Sequence, residues 1–481
     1  MAIEVEMENT KRLIGNRRGD VNLTVGNIWW QIIYFAIPLL LGNLFQQLYN
    51  MVDTWVVGNF VSDAAFAAVG TVAPIINTLI GFFMGLSSGA GVVISQAYGR
   101  GDMKEVKHTV TASAIMTVVM GVLFTIIGVA FTPMMLGFIN TPPEVTPEAT
   151  TYLRIYFAGV IGLMIYNMGS GILRAVGDSK RPFYFLVVSA VLNIVLDMLF
   201  VLQFGMGVAG VALATIISQF VSAILVTIVV LKTSSPVKLV IKELIYDLLH
   251  IKEILHIYKK IVKIGFPAAI QMAITAFSNV FIQSYINHFG KECMAGYTAY
   301  AKIDQILFMP MQSLSLSATT FVGQNLGAEK PDRARKGANI ALFLAIISTV
   351  ILAIPVMIFA DSLVIFFIDV ESAVEYGTMF LRFMTPFYLL CTVNQVYSGA
   401  LRGSGNARAP MIIMLSSFVV FRQIYMFIMA NFISNTIIPI VAAYPAGWAL
   451  SSILTIIVYL RSPFVREGKG SSKREVAESN A

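Results

Sequence analysis

The sequence predicts an all-α integral membrane protein, with twelve transmembrane helices in two six-helix lobes related by a parallel internal repeat. Three observations carry that prediction. Of 481 residues, 57% are hydrophobic and only 12% charged, at a mean hydropathy of +0.77, whereas soluble domains carry about 25% charged residues. Apolar windows of about 20 residues, the length that crosses a bilayer as a helix, recur along the chain. One set of motifs also occurs twice at a nearly constant offset.

The windows place spans near 31–57, 64–87, 110–132, 150–172, 183–204, 209–231, 262–286, 294–318, 338–360, 378–400, 410–430 and 438–460. Basic residues gather in alternate loops: Lys11 to Arg18, Arg100 to Lys107, Lys180 and Arg181, Lys232 to Lys263, Lys330 to Lys336, and beyond Arg461. The opposite loops hold little besides Arg154 and Lys291. By the positive-inside rule both termini are cytoplasmic, as an even number of spans also requires. The net charge of +7 is therefore read as topology signal, and no nucleic-acid partner is expected. Residues 1–28 are polar and the first apolar run is too long for a cleavable signal. Cys293 and Cys391 lie in apolar contexts and the four histidines are scattered, so neither a metal site nor a disulfide framework is expected. No phosphate-binding G-x4-G-K-[ST] loop occurs, and the chain is not read as an enzyme.

The repeat is explicit. Gly171-x-Leu173-Arg174-x-x-Gly177-x4-Pro182 returns as Gly399-x-Leu401-Arg402-x-x-Gly405-x4-Pro410, an offset of 228. Gln96-x-x-Gly99 returns as Gln324-x-x-Gly327 at the same offset, and Pro38 and Asn50 return as Pro267 and Asn279 at 229. Each copy holds six spans, so both point the same way and relate by an axis along the membrane normal. The expected divisions are a cytoplasmic segment 1–28, a first lobe 29–232, a linker 233–261, a second lobe 262–461 and a disordered tail 462–481. The linker mixes charged residues with Leu, Ile and Val, as either an amphipathic segment on the cytoplasmic membrane surface or a plain helical linker would. Arg174 and Arg402 are expected to cap cytoplasmic helix ends.

The first span carries polar residues at 43, 46, 50 and 53, three to four apart and so on one helix face. A carboxylate at membrane depth costs about 2.5–3.5 kcal/mol even on the lenient scale, so Asp53 should face protein or water. Asp53 and Asp197 each lie seven residues from their span ends, Phe60 and Phe204, roughly 10 Å deep at 1.5 Å per residue. Pro38 removes one backbone hydrogen bond and makes a bend or hinge.

These residues resemble the multidrug and toxic compound extrusion (MATE) transporters over about residues 20–460. The likeness rests on Pro38…Asn50-x-x-Asp53, the Gln96-x-x-Gly99 turn and the doubled G-x-L-R-x-x-G-x4-P. It implies a V-shaped pair of six-helix bundles that exports organic cations in exchange for protons or sodium. The closest branch is the DinF-like one with the MepA-type exporters, whose first-lobe site has a helix-one aspartate and a helix-five Asn-x3-Asp, matched by Asp53 and Asn193-x3-Asp197. The NorM-like helix-seven glutamate is missing, since no acid stands between Pro267 and Asn279. The resemblance thus implies ion coupling at Asp53, Asp197, Asn193 and Asn50, and a hinge at Pro38. Gln46, Thr215, Tyr152, Ser170 and Asn167 are the substrate or cavity candidates. Expected partners are small-molecule drugs or organic cations and membrane lipids, with no cofactor beyond the coupling ion. The expected setting is a monomer in a bacterial or archaeal cytoplasmic membrane. The alternative is a lipid or lipid-linked-precursor flippase of the wider superfamily, which Lys302, Arg382 and Arg422 would serve.

Overall fold

In the computed structural model residues 21–139, 141–434 and 436–468 are described; residues 1–20 and 469–481, which hold most of the expected leading segment and tail, lie outside them. Every regular element among the described residues is helical. In the first repeat these are α1 (Ile28–Phe60), α2 (Asp63–Arg100), α3 (Met103–Phe138), α4 (Thr146–Ala158), α5 (Val160–Ala175), α6 (Lys180–Met198) and α7 (Gly207–Lys232). The linker forms α8 (Ile241–Leu249). The second repeat has α9 (Ile251–Asn287), α10 (Lys291–Gly327), α11 (Pro331–Ile358), α12 (Ala360–Ile365), α13 (Glu371–Met384) and α14 (Tyr388–Gly403). It ends with α15 (Arg408–Met414), α16 (Arg422–Ile428), α17 (Ile437–Val441) and α18 (Ala443–Arg461).

Each predicted span coincides with a helix or a broken pair. Among the described residues nine helices are long and apolar enough to cross a bilayer alone, or ten with α4 and α5, bent by 48°, counted as one. The other two predicted spans are α9, whose first half is rich in lysine, and α13–α14, interrupted by a 3-10 turn at Thr385–Phe387. Pro386 explains the interruption, because it supplies no N–H to the helix ladder. Wide π-turns run through Leu199–Gln203, after α6, and Leu415–Phe421, between α15 and α16.

The chain divides into two compact units. One holds Ile37–Ala269 with Val21 and Asn22; the other holds Leu23–Ala36 and the chain from Ile270. The linker therefore belongs with the first unit, and the opening turns of α1 with the second. The switches fall at Ala36/Ile37 and Ala269/Ile270, beside Pro38 and Pro267. Sequence order alone suggests neither placement, because both depend on contacts with helices more than a hundred residues away. Leu23, for example, donates its N–H to Gln324 Oε1 at 2.9 Å, and its carbonyl accepts from Asn325 and Arg333.

Each unit has its own core. Val56, Phe83, Leu153, Leu163 and Val211 anchor the first; Leu307, Phe380, Met384, Tyr388 and Trp448 anchor the second. Outward lie large apolar side chains such as Val119, Ile126, Ile351 and Phe366, all at least 60% exposed. In a multi-pass membrane protein those are lipid-facing positions, and the helices satisfy their own backbone groups there.

The repeat holds down to single hydrogen bonds. Ser87 Oγ donates to Asn167 O at 2.7 Å, and 228 residues on Ser315 Oγ donates to Gln395 O at 2.7 Å. The first glycine of each doubled motif lets those helices touch. A methyl on Gly171 would collide with Ser87 Oγ, and one on Gly399 would stand 2.6 Å from Ser315 Oγ and closer still to its carbonyl oxygen. The second glycine, Gly177 or Gly405, sits at φ +90 or +89, a left-handed conformation that side chains resist. Each ends its helix with matching bonds, Gly177 N to Arg174 O and Gly405 N to Arg402 O. Arg402 does not cap its helix: it is buried and donates to Ser315 Oγ at 3.2 Å and Gln271 Oε1 at 3.3 Å, joining α14 to α10 and α9.

Linker helix α8 turns its charged face onto α3. Asp247 meets His108 Nδ1 at 3.0 Å and Glu243 meets Lys107 at 3.4 Å, while Ile241, Ile245 and Leu249 stay exposed.

Candidate functional site

In the first unit α1 and α6 bring Asp53 and Asp197 together. Both are buried, at 7% and 0% exposure, and their carboxyl groups stand within hydrogen-bonding range of each other. Asp53 Oδ1 and both oxygens of Asp197 have no other donor among the described residues. Two carboxylates offer only acceptors, so a bond between them requires a proton held on one. Without it, two like charges would face each other away from water, which is strongly unfavourable. A hydrogen bond between the two therefore holds one proton.

Asn193 lies one turn before Asp197, 1% exposed, with neither its Oδ1 nor its Nδ2 bonded among the described residues. An orphaned amide of this kind costs about 1–3 kcal/mol. Together with the carboxylates it supplies a set of oxygen donors of the sort that suits a hard cation. The wide turn Leu199–Gln203 follows directly on the helix that carries both residues. Such turns often mark functional positions.

Two tyrosines lie near the pair, and a third lies against them. Tyr152 is buried, within reach of the charges on both acids, and stacks on Tyr156 at 6.4 Å. Tyr49, one turn before Asp53, also feels its charge, with Gln46 beside its hydroxyl. Gln219 of α7 lies beside Tyr156. Of these, Tyr152 and Gln46 are readable as candidates from the sequence, whereas Tyr49, Tyr156 and Gln219 emerge only from the fold.

The remaining candidates have other surroundings or partners. Asn50 is exposed and donates to Gln47 Oε1 on its own helix at 3.3 Å. Thr215 is buried, but its hydroxyl donates to Val211 O at 3.0 Å. Asn167 donates to Leu163 O at 2.9 Å and takes Ser87's bond through its carbonyl. Ser170 is fully buried on the same helix. Asn50→Ala is accordingly expected to leave ion-dependent substrate binding within about twofold of wild type, and Asn193→Ala to weaken it about tenfold. Because Asn193 makes no bond to lose, its variant should keep its melting temperature, which a thermal melt beside the binding assay checks.

The three basic residues of the alternative reading are engaged separately. Lys302 is exposed, Arg382 pairs with Asp361 at 2.6 Å on the surface, and Arg422 is buried with Ser278 and Asn279. Among the described residues no group of three or more His, Cys, Asp or Glu side chains forms a metal site.

The sequence profile of the family described as MatE matches residues 38–199 and 267–428, one stretch in each repeat. The probable multidrug resistance protein YoeA of Bacillus subtilis is 29% identical over 435 residues, covering 89% of this chain and 92% of its own. The multidrug export protein MepA of Staphylococcus aureus is 22% identical over 429 residues, covering 89% and 93%. A solved MOP-superfamily transporter from Pyrococcus furiosus superposes with a TM-score of 0.86 at 22% identity, covering 92% of this chain and 97% of its own.

Proposed function

The chain belongs to the MatE family of membrane transport proteins, and we propose that it is a secondary antiporter that exports amphipathic, often cationic compounds. The counter-ion is a proton, or sodium on the same donors, and the cycle is alternating access in a cytoplasmic membrane with both termini inside. One observation carries the reading: the buried Asp53–Asp197 pair, which has no donor besides itself and needs one positive charge. A site that must hold either an entering ion or the field of an organic cation makes the two compete. Competition gives the two states different affinities, and that difference couples the fluxes. Pro38, where α1 passes between units, is the place for a hinge. The names of YoeA and MepA, a multidrug resistance protein and a multidrug export protein, support small drugs as cargo.

The test is dye transport in everted vesicles with proton and sodium gradients imposed separately. An ethidium-like cation should accumulate in the vesicle lumen when the lumen is acidified, and the sodium gradient alone should act only if sodium takes the same site. Accumulation that ignores both gradients would refute antiport.

A further inference from the structure

Asp304, on α10 in the second unit, has no acidic counterpart in the first, where the position 228 residues earlier is Ile76. The acids of the first unit are in turn missing from the second. Asn50 corresponds to Asn279 at offset 229, so Asp53 corresponds to Ile282. Along α15 and α16 the wide turn Leu415–Phe421 takes up one extra residue, moving the offset from 228 at Pro410 to 229. Asn193 then corresponds to Arg422 and Asp197 to Met426. Arg422 is buried, donates to Ser278 Oγ and to Asn279 Oδ1, and lies over the rings of Phe418 (5.4 Å) and Tyr444 (5.0 Å). A resident guanidinium stands at the position that corresponds to Asn193 of the first unit.

Asp304 is a separate device. Its Oδ1 accepts the hydroxyls of Tyr300, at 3.2 Å, and of Tyr388, which also lie 3.1 Å from each other. Oδ2 receives no donor among the described residues, and Asp304 is only half-buried although both tyrosines are buried. Both hydroxyl bonds converge on the same oxygen. Here one oxygen is fixed in position and the other is left open, with no basic side chain paired to it among the described residues. One turn further on, half-buried Phe308 meets Tyr388 edge-on at 5.7 Å and Trp448 at 6.4 Å; Tyr388 and Trp448 are 5.3 Å apart. Residues four apart share a helix face, so the open oxygen and the ring of Phe308 lie on one strip, while Lys302, two residues from Asp304, does not share it. A fixed carboxylate beside aromatic rings combines charge attraction with cation–π attraction, the chemistry that selects large, weakly hydrated organic cations.

We propose that Asp304, with the ring of Phe308 held against buried Tyr388 and Trp448, is a recognition site in the second unit for the cationic head of an organic ligand. It rests on the antiport reading and deepens it by naming a further carboxylate that recognises the cargo's charge, besides the ion pair of the first unit. Tyr300 and Tyr388 are the positioning residues that hold Oδ1 and so aim Oδ2.

The test uses full-length protein in detergent, with tetraphenylphosphonium as the cation and triphenylphosphine oxide as its uncharged mimic. Asp304→Asn should weaken tetraphenylphosphonium binding by about tenfold or more and leave triphenylphosphine oxide within about twofold. Asp304→Glu should restore most of the cation affinity. Phe308→Leu, which keeps apolar volume and removes the ring, supplies the same comparison should Asp304→Asn fail to fold, and should also weaken the cation selectively. Equal loss for both probes would assign Asp304 to structure and overturn the proposal, as would unchanged binding of both or a wild type that binds no tetraphenylphosphonium. No gradient is present in this assay, so failure of antiport in vesicles would refute the coupling reading without deciding this one.

Discussion

Replacing Asp197 with asparagine is expected to cut gradient-driven export about a hundredfold while the protein still folds and inserts. Asparagine keeps the shape of the side chain and can donate to Asp53, so the packing around α6 survives. It also removes a carboxylate whose burial at membrane depth is costly, so expression and detergent melting temperature should hold or rise. Only the capacity to exchange a positive charge is lost, and a coupling free energy of 1–3 kcal/mol corresponds to roughly a 5- to 150-fold effect. Vesicle efflux set beside protein level gives the answer. Wild-type efflux at equal protein would reduce the acid pair to a helix contact.

Gly399→Val is expected to have the largest structural effect, about 3 kcal/mol or more, because the new side chain meets backbone that cannot rotate away. A Cβ at this position already overlaps the carbonyl of Ser315. The same change also separates Ser315 from Gln395 and from Arg402, two hydrogen bonds that join α10 to α14. Melting curves and yield in detergent check it, with Gly70→Val, where nothing lies within 4 Å of the added Cβ, as control. A melting temperature equal to the control's would show that α14 can shift, and that the repeat's glycine does not set this packing.

Much of this was legible in the residues. Asp53 and Asp197 stood out because a carboxylate in an apolar span has few stable uses, and their equal distance from the span ends anticipated that they meet. The doubled glycine motif announced two like halves, and the hydrogen bonds of Ser87 and Ser315 repeat accordingly. The shell around the acids was less accessible. On a helix Tyr49 and Asn50 flank the direction of Asp53, about 40° to one side and about 60° to the other. Spacing therefore admits either, and the fold uses Tyr49 while Asn50 bonds to Gln47. Tyr156 comes from α4 and Gln219 from α7, and only tertiary packing brings Tyr156 near Tyr49 and Gln219 beside Tyr156. The membership of Leu23–Ala36 in the second unit rests on bonds to residues some 300 positions away, a distance no periodicity reports. Arg402 looked like a cap because it ends a helix, yet its guanidinium turns inward to Ser315 and Gln271.

The Asp53–Asp197 pair is expected to exchange its positive charge when cargo binds. Proton release reports it most directly: tetraphenylphosphonium is added to the detergent-solubilised protein in weak buffer near neutral pH, without sodium, and the pH change is recorded. The wild type should release about one proton per bound cation, and Asp53→Asn or Asp197→Asn none at saturating ligand. Undiminished release from both variants would place the exchanging group elsewhere and contradict the account.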